Sequence, residues 1–160
     1  MTGRLATLTG EFLAQSPLRH GPFRVFYAGA IAAALGYTMQ TTVAAWLMAT
    51  LTPSAVMVAL VQTASTAPAL LFGLFAGAMA DIVDRRKVII ATHVVLVAAS
   101  ALLGVAAIAG WVGPAMLLAM TFVVGAGFAF YQPAQQASVN DLVSRAEMPQ
   151  AVSLNAVGFN

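Results

Sequence analysis

The residues best suited to chemistry lie in one short stretch near the middle of the 160-residue chain. Residues 81–87 read Asp-Ile-Val-Asp-Arg-Arg-Lys and hold five of the twelve charged residues, which are seven Lys and Arg and five Asp and Glu. Carboxylate and guanidinium groups so placed can form ion pairs or bind the ends of neighbouring helices. Residues 25–80 and 88–140 contain no Asp, Glu, Lys or Arg. The stretch is therefore a compact charged loop between two long uncharged runs.

A second set of candidates consists of neutral polar side chains inside the uncharged runs. Polar groups in an apolar segment are costly and face the interior of a helix bundle. On this basis we predict that four residues line a substrate path: Gln40, Gln62, Tyr131 and Gln132. A hydrogen bond between helices, worth ~0.6 kcal/mol, is the simpler interpretation of any one of them.

Other chemistries lack the residues that they need. The chain has no cysteine, and its two histidines, His20 and His93, are far apart in sequence. No phosphate-binding loop and no set of nucleophile and base stands out. We therefore predict no metal site, no cofactor and no enzymatic activity, and we interpret His93 as structural.

The composition points to a lipid bilayer as the solvent. The chain is 61% hydrophobic and 8% charged, whereas soluble domains carry roughly 25% charged residues. The formal net charge is +2, but the few basic residues lie outside the apolar runs. They are expected to set membrane orientation and not to bind nucleic acid.

The two uncharged runs are each long enough for two membrane helices, since a bilayer core of ~30 Å needs about 20 helical residues. Breaks at residues 50–54 and 110–114, which contain Pro53 and Gly110, divide them. After an N-terminal segment, residues 1–22, we predict four spans, at about 23–50, 55–80, 87–109 and 114–138. Gly73 and Gly77 favour close packing of the second span, and Pro133 predicts an irregular end of the fourth.

Both ends of the chain carry weaker signals. Leu5, Leu8, Phe12 and Leu13 recur at helical spacing, which indicates either a short surface helix or a frayed terminus. Ser144 and Glu147 form a capping-box pattern before a fifth helix that begins near residue 149. About 11 residues then span only ~17 Å, so the sequence predicts a fragment of a longer protein.

The distribution of basic residues predicts the orientation. Every Lys and Arg lies in the first 24 residues, in the 81–87 loop or after residue 140. Cytoplasmic loops carry the excess of basic residues. We therefore expect these three regions in the cytoplasm and the turns at 51–54 and 110–114 outside.

Residues 77–86 resemble the signature loop of the major facilitator superfamily, which follows the second of twelve helices, as this loop does. The positions that match the family pattern are Gly77, Asp81, Arg85 and Arg86. Ile82 departs from it, because the sixth position is usually basic. Asp84 stands where Gly is frequent, a form common in one exporter branch.

That branch is similar to the enterobactin and macrolide exporters, the group called transmembrane secretion effectors. Residues 39–46 resemble its first helix, and residues 130–134 and 142–155 resemble its fourth-to-fifth helix region. Gln135 departs from the pattern, since a basic residue is common near that position. The resemblance covers roughly residues 17–160.

The resemblance implies an all-α polytopic membrane protein, with four membrane helices and the start of a fifth in the N-terminal six-helix bundle of a twelve-helix transporter. Its expected function is secondary active efflux of a drug-like or siderophore-like amphipathic compound by alternating access. The expected setting is a bacterial inner membrane, with the missing C-terminal helices and a small-molecule substrate as partners. Asp81, Arg85 and Arg86 would form breakable ion pairs, with Asp141 as a partner.

Simpler interpretations stay open. Basic residues after a span are also explained by the helix dipole and by membrane anchoring alone. A small four-helix membrane protein that acts as a dimeric exporter, or a membrane scaffold that does not transport, would have similar helices. Reading the coding sequence beyond Asn160 would separate these classes.

Overall fold

The computed structural model describes residues 16–145 and 147–159, and the regular structure in these residues is entirely helical. A 3-10 turn, Pro17–Arg19, precedes five helices: α1 Gly21–Leu51, α2 Ala55–Ile82, α3 Arg85–Ile108, α4 Pro114–Leu142 and α5 Met148–Phe159. This confirms the predicted all-α class. The helix ends differ from the predicted span limits by about one turn or less. The surface helix predicted around Leu5–Leu13 lies outside the described residues.

Three of the described helices, α2, α3 and α4, are long and apolar enough to cross a membrane. The exposed faces of α2 and α3 are rich in large aliphatic side chains: Leu70 is 89% exposed, Leu74 85% and Ile108 92%. Such surfaces are unfavourable in water and favourable in lipid. α1 has 31 residues, which is ample length, but a polar cluster at residues 37–42 lowers its hydropathy.

Local sequence explains where the helices start and stop. The Ser54 side chain caps α2 by accepting a hydrogen bond from the Met57 amide at 3.4 Å. α3 ends at Ile108, and Gly110 follows it with a φ of 73°, a left-handed conformation that glycine adopts without strain. The amides of Gly110 and Trp111 bond back to the carbonyls of Ala107 and Ala106. This is a Schellman ending, which satisfies carbonyls that would otherwise lack donors.

The predicted irregularity of the fourth span is wrong. α4 continues as one α-helix through Pro133 to Leu142, and α2 continues in the same way through Pro68. A proline inside a helix removes one backbone hydrogen bond, and membrane helices tolerate this where neighbouring groups compensate. The carbonyls deprived of a donor are those of Ala64 and Ala129, four residues before each proline.

The described residues form two compact units. The central unit is Leu35–Ala137, and the terminal unit combines the residues up to Ala34 with those from Ser138 onward. The largest buried cluster of the central unit contains Met48, Val61 and Leu117. In the terminal unit, Phe23 is buried with Val139 and Ala151. Half of the buried hydrophobic residues in the described part of the chain are alanines, so the backbones approach closely, as is common in membrane bundles.

Candidate functional site

The loop between α2 and α3 is shorter than the charged stretch at residues 81–87, because both helices extend into that stretch. α2 ends at Ile82 and α3 begins at Arg85, which leaves two residues between the helices. The Oδ1 atom of Asp84 accepts a hydrogen bond from the Arg86 amide at 2.9 Å, so Asp84 is the N-cap of α3. Aspartate is among the best N-cap residues because its carboxylate binds amides that have no helical partner. This role of Asp84 was not predicted, although an Asp before a helical run is its usual signal.

Arg85 attaches the loop to α4 through a contact with the α4 backbone. Its Nη1 atom donates a hydrogen bond to the carbonyl oxygen of Ala137 at 3.0 Å. The carbonyl end of a helix carries partial negative charge, which favours a cation there. Beside this contact Ala80, Val88 and Ala134 form a buried cluster. The loop is thereby held against the last turns of α4.

The other candidates in the charged stretch are exposed. Asp81, Arg86 and Lys87 lie on the surface, and no hydrogen bond or ion pair joins the Asp81 carboxylate to another described residue. Asp141 is exposed in the last turn of α4. Its ion pairing with the signature loop stays a prediction. A Cβ added to Gly77 would meet nothing within 4 Å, so the close packing predicted there is absent among the described residues.

Close packing occurs instead where α1, α2 and α4 meet. The Tyr37 hydroxyl donates a hydrogen bond to the Ser65 carbonyl oxygen at 2.9 Å. A Cβ added to Gly125 would lie 2.5 Å from that same oxygen and 3.2 Å from the carbonyl oxygen of Ala64. Ala64 is the residue that Pro68 deprives of its helical donor. Tyr37 and Gly125 therefore cover the interrupted part of α2.

Tyr37 also takes part in a series of aromatic contacts. Its ring stacks on Phe128 at 4.1 Å between centroids, with the ring planes 7° apart. Phe128 contacts Tyr131 at 5.7 Å, and Tyr131 meets His93 edge-to-face at 4.9 Å. His93 Nδ1 lies 2.8 Å from the Ile89 carbonyl oxygen of its own helix, an arrangement that fits the structural role predicted for it. No sequence pattern indicated that Tyr37 lies at the centre of these contacts.

The four predicted substrate-path residues occupy different surroundings. Gln40 has a buried Nε2 atom with no hydrogen-bond partner among the described residues, whereas Gln62 is exposed. Tyr131 is only 3% exposed. Gln132 lines a cavity between α2 and α4. Within the part of the chain that the structure describes, no hydrogen bond or ring contact joins Gln40 or Gln62 to the other two.

Glu147, which lies outside the membrane helices, has a carboxylate whose pKa is strongly lowered by its hydrogen bonds. Its Oε2 atom accepts hydrogen bonds from the Ser144 hydroxyl at 2.7 Å and from the Ser144 amide at 3.1 Å. His20 Nε2 lies 3.0 Å from Oε1. The hydrogen bonds from Ser144, followed by that from His20, lower the pKa of Glu147 to about 2. The Glu147–Ser144 amide bond is the one that the capping box predicts, but the Ser144 hydroxyl donates to the carboxylate and does not cap an amide.

The described helices are long and apolar, their outer surfaces are compatible with lipid, and several of their polar groups contact one another. These features define a multi-pass integral membrane protein. The sequence pattern of the transmembrane secretion effectors matches residues 13–160. The chain therefore belongs to this transporter family of the major facilitator superfamily, which confirms the predicted resemblance. Comparison with curated proteins and with solved structures gives no match.

Proposed function

We propose that the chain is part of the N-terminal six-helix bundle of a twelve-helix secondary transporter that exports an amphipathic compound by alternating access. The family match over residues 13–160 carries this proposal. In it, α1 to α4 are four membrane spans and α5 is the start of a fifth. Transporters of this kind bind substrate between their two halves, so these helices supply one side of the site.

The contacts of the loop support a gating role. Arg85 binds the α4 backbone through a charge-assisted hydrogen bond to the Ala137 carbonyl, and such a bond can break and reform when helix ends move. Asp81 is exposed at the end of α2, where it is available to a helix end of the opposing half. In the proposal, Asp81, Arg85, Arg86 and Asp141 stabilise the outward-facing state, and their contacts break when the transporter opens inward.

The location proposed is the bacterial inner membrane, with the N-terminus in the cytoplasm. The support is the placement of all seven Lys and Arg in the first 24 residues, in the 81–87 loop and after residue 140. Basic residues remain on the cytoplasmic side during insertion. The substrate class is supported by the neutral character of the helices, since residues 25–80 and 88–140 contain no charged side chain.

Efflux from cells tests the proposal. The full-length protein that contains this chain is expressed in a bacterial strain that lacks its main efflux systems, and the accumulation of ethidium, rhodamine 6G and Nile red is measured. We expect lower accumulation of at least one dye with the wild-type protein. We expect no such effect for Asp81→Asn at an equal amount of protein in the membrane, while Asp81→Glu should retain part of it. Equal accumulation with and without the wild-type protein would favour a scaffold, and full activity of Asp81→Asn would contradict the gating role.

A further inference from the structure

A groove between α2 and α4 has the features of a binding site for uncharged hydrogen-bonding groups. Its volume is about 220 Å³, and its lining consists of Ala69, Gly73, Ala129, Gln132, Pro133 and Gln136. All of these residues belong to the central unit. Pockets for whole drug-sized ligands usually measure about 300–1,000 Å³, so this groove accommodates one polar group of a larger molecule.

One wall of the groove presents hydrogen-bonding groups that the described protein does not use. Gln132 and Gln136 lie one helical turn apart on α4, and neither side chain has a hydrogen bond to another described residue. Pro133 has no amide hydrogen, so the carbonyl of Ala129 lacks its helical donor. The wall therefore offers two carboxamides, each both donor and acceptor, and one backbone acceptor.

The opposite wall leaves room for an occupant. α2 contributes only Ala69 and Gly73, and a Cβ added to Gly73 would meet nothing within 4 Å. The floor of the groove is formed by small groups and carries no charge. Gly73 precedes Asp81 by eight residues, which places the groove ~12 Å from that end of α2 and so within the apolar part of the membrane.

Unsatisfied polar groups at this depth cost free energy, since lipid offers them no partner. A charged ligand would find no counter-ion in this lining, because none of the six residues is ionisable. A ligand with only acceptors would leave the carbonyl of Ala129 without a donor. A hydroxyl or an amide, which donates and accepts, satisfies both the carbonyl and the carboxamides.

We propose that the α2–α4 groove binds a hydroxyl-bearing or amide-bearing, uncharged part of the exported molecule, through Gln132, Gln136 and the carbonyl of Ala129. This inference rests on the proposed transport function and specifies the substrate class. Gly73 is the residue that keeps the groove open. A helix from another part of the protein is the competing occupant, and the test separates the two.

The test uses the absence of native cysteine. Ala69→Cys places one thiol in the groove and leaves both glutamines intact, and Pro53→Cys in the α1–α2 turn is the matched control. The rate of N-ethylmaleimide labelling is measured on the purified protein in proteoliposomes. The probes are thiamphenicol, which is uncharged with two hydroxyls and an amide, florfenicol, in which fluorine replaces one hydroxyl, and the cation tetraphenylphosphonium.

We expect thiamphenicol to slow labelling of Ala69→Cys but not of Pro53→Cys. Florfenicol should require about a fivefold higher concentration, the effect of one lost hydrogen bond, and tetraphenylphosphonium should not protect. Adding Gln132→Leu and Gln136→Leu should abolish the difference between the two amphenicols. An unreactive Ala69→Cys thiol would show that protein fills the groove. Equal protection by all three probes, or no protection by any of them, would also overturn the inference. So would a difference between thiamphenicol and florfenicol that persists in the variant with Gln132→Leu and Gln136→Leu. A failure of the proposed transport function is detected by a separate measurement, because the wild-type protein would then leave dye accumulation in cells unchanged.

Discussion

At the residue scale, Gly125 shows how a single missing side chain allows two helices to meet. Its α-carbon faces the carbonyls of Ala64 and Ser65, and an added Cβ would lie 2.5 Å from the Ser65 oxygen. That segment of α2 is the one interrupted by Pro68. The backbone of Gly125 packs against the Ala64 carbonyl that has lost its helical donor, and Tyr37 binds the neighbouring Ser65 carbonyl.

Gly125→Ala is therefore expected to destabilise the protein. The new methyl group would force α4 away from a backbone oxygen that cannot rotate aside, and overpacking of this kind costs about 1–3 kcal/mol. Gly104→Ala is the matched control, because a Cβ there would meet nothing within 4 Å and alanine favours the helix. Thermal unfolding in detergent, followed by circular dichroism, should show a lower Tm for Gly125→Ala and an unchanged or slightly higher Tm for Gly104→Ala. Equal Tm values for the two variants would contradict the close approach.

At the element scale, the sequence predicted helices and turns well because their signals are local. Pro53, Gly110 and Pro114 act on their own backbone, so the breaks that they predict appear where expected. Pro133 was misjudged because its effect depends on neighbours: one lost hydrogen bond does not end a helix that the surrounding helices support.

The contacts between helices could not be predicted in the same way. Which faces of α1, α2 and α4 meet depends on side-chain packing that no short pattern contains. The contacts of Tyr37 with Ser65 and of Arg85 with the Ala137 carbonyl were therefore not predicted. Gln132 was predicted to line a substrate path and Gly73 to pack closely, but no pattern placed either residue beside Gln136 in one groove.

The start of α3 gives the element-scale prediction. Asp84 caps this helix through Oδ1, and replacing an Asp N-cap by Ala costs about 1 kcal/mol. Asparagine keeps the oxygen acceptor and removes the charge, so it separates capping from ion pairing. We expect the free energy of unfolding of Asp84→Asn to be close to the wild-type value and that of Asp84→Ala to be lower, as measured by denaturant titration in mixed micelles.

Transport by the same two variants then defines the role of the carboxylate. If the cap alone matters, Asp84→Asn should export dye like the wild-type protein. A stable but inactive Asp84→Asn would instead assign the charge itself to gating. An Asp84→Ala protein as stable as Asp84→Asn would show that the cap contributes little.

At the scale of the whole molecule, the main question is whether α1 crosses the membrane. Its hydropathy falls short because of the polar cluster at residues 37–42, yet most of these groups have partners. Thr41 and Thr42 donate their hydroxyl hydrogens to carbonyls of α1 itself, at 3.1 and 2.8 Å, and Tyr37 bonds Ser65. A hydropathy average counts each of these groups as if it were unsatisfied. With 31 residues, about 46 Å at 1.5 Å each, α1 exceeds the ~30 Å core.

Labelling of single cysteines in intact cells tests this arrangement directly, since the sequence contains no cysteine. The four sites are Gly21→Cys, Pro53→Cys, Val83→Cys and Trp111→Cys, each at an exposed end of a helix. We expect a membrane-impermeant maleimide to label Pro53→Cys and Trp111→Cys in intact cells, and the other two only after permeabilisation. Labelling of Gly21→Cys together with Pro53→Cys would show that α1 does not cross the membrane. The reverse of the whole pattern would keep the four spans but invert the orientation, and the 81–87 loop would then lie outside the cell.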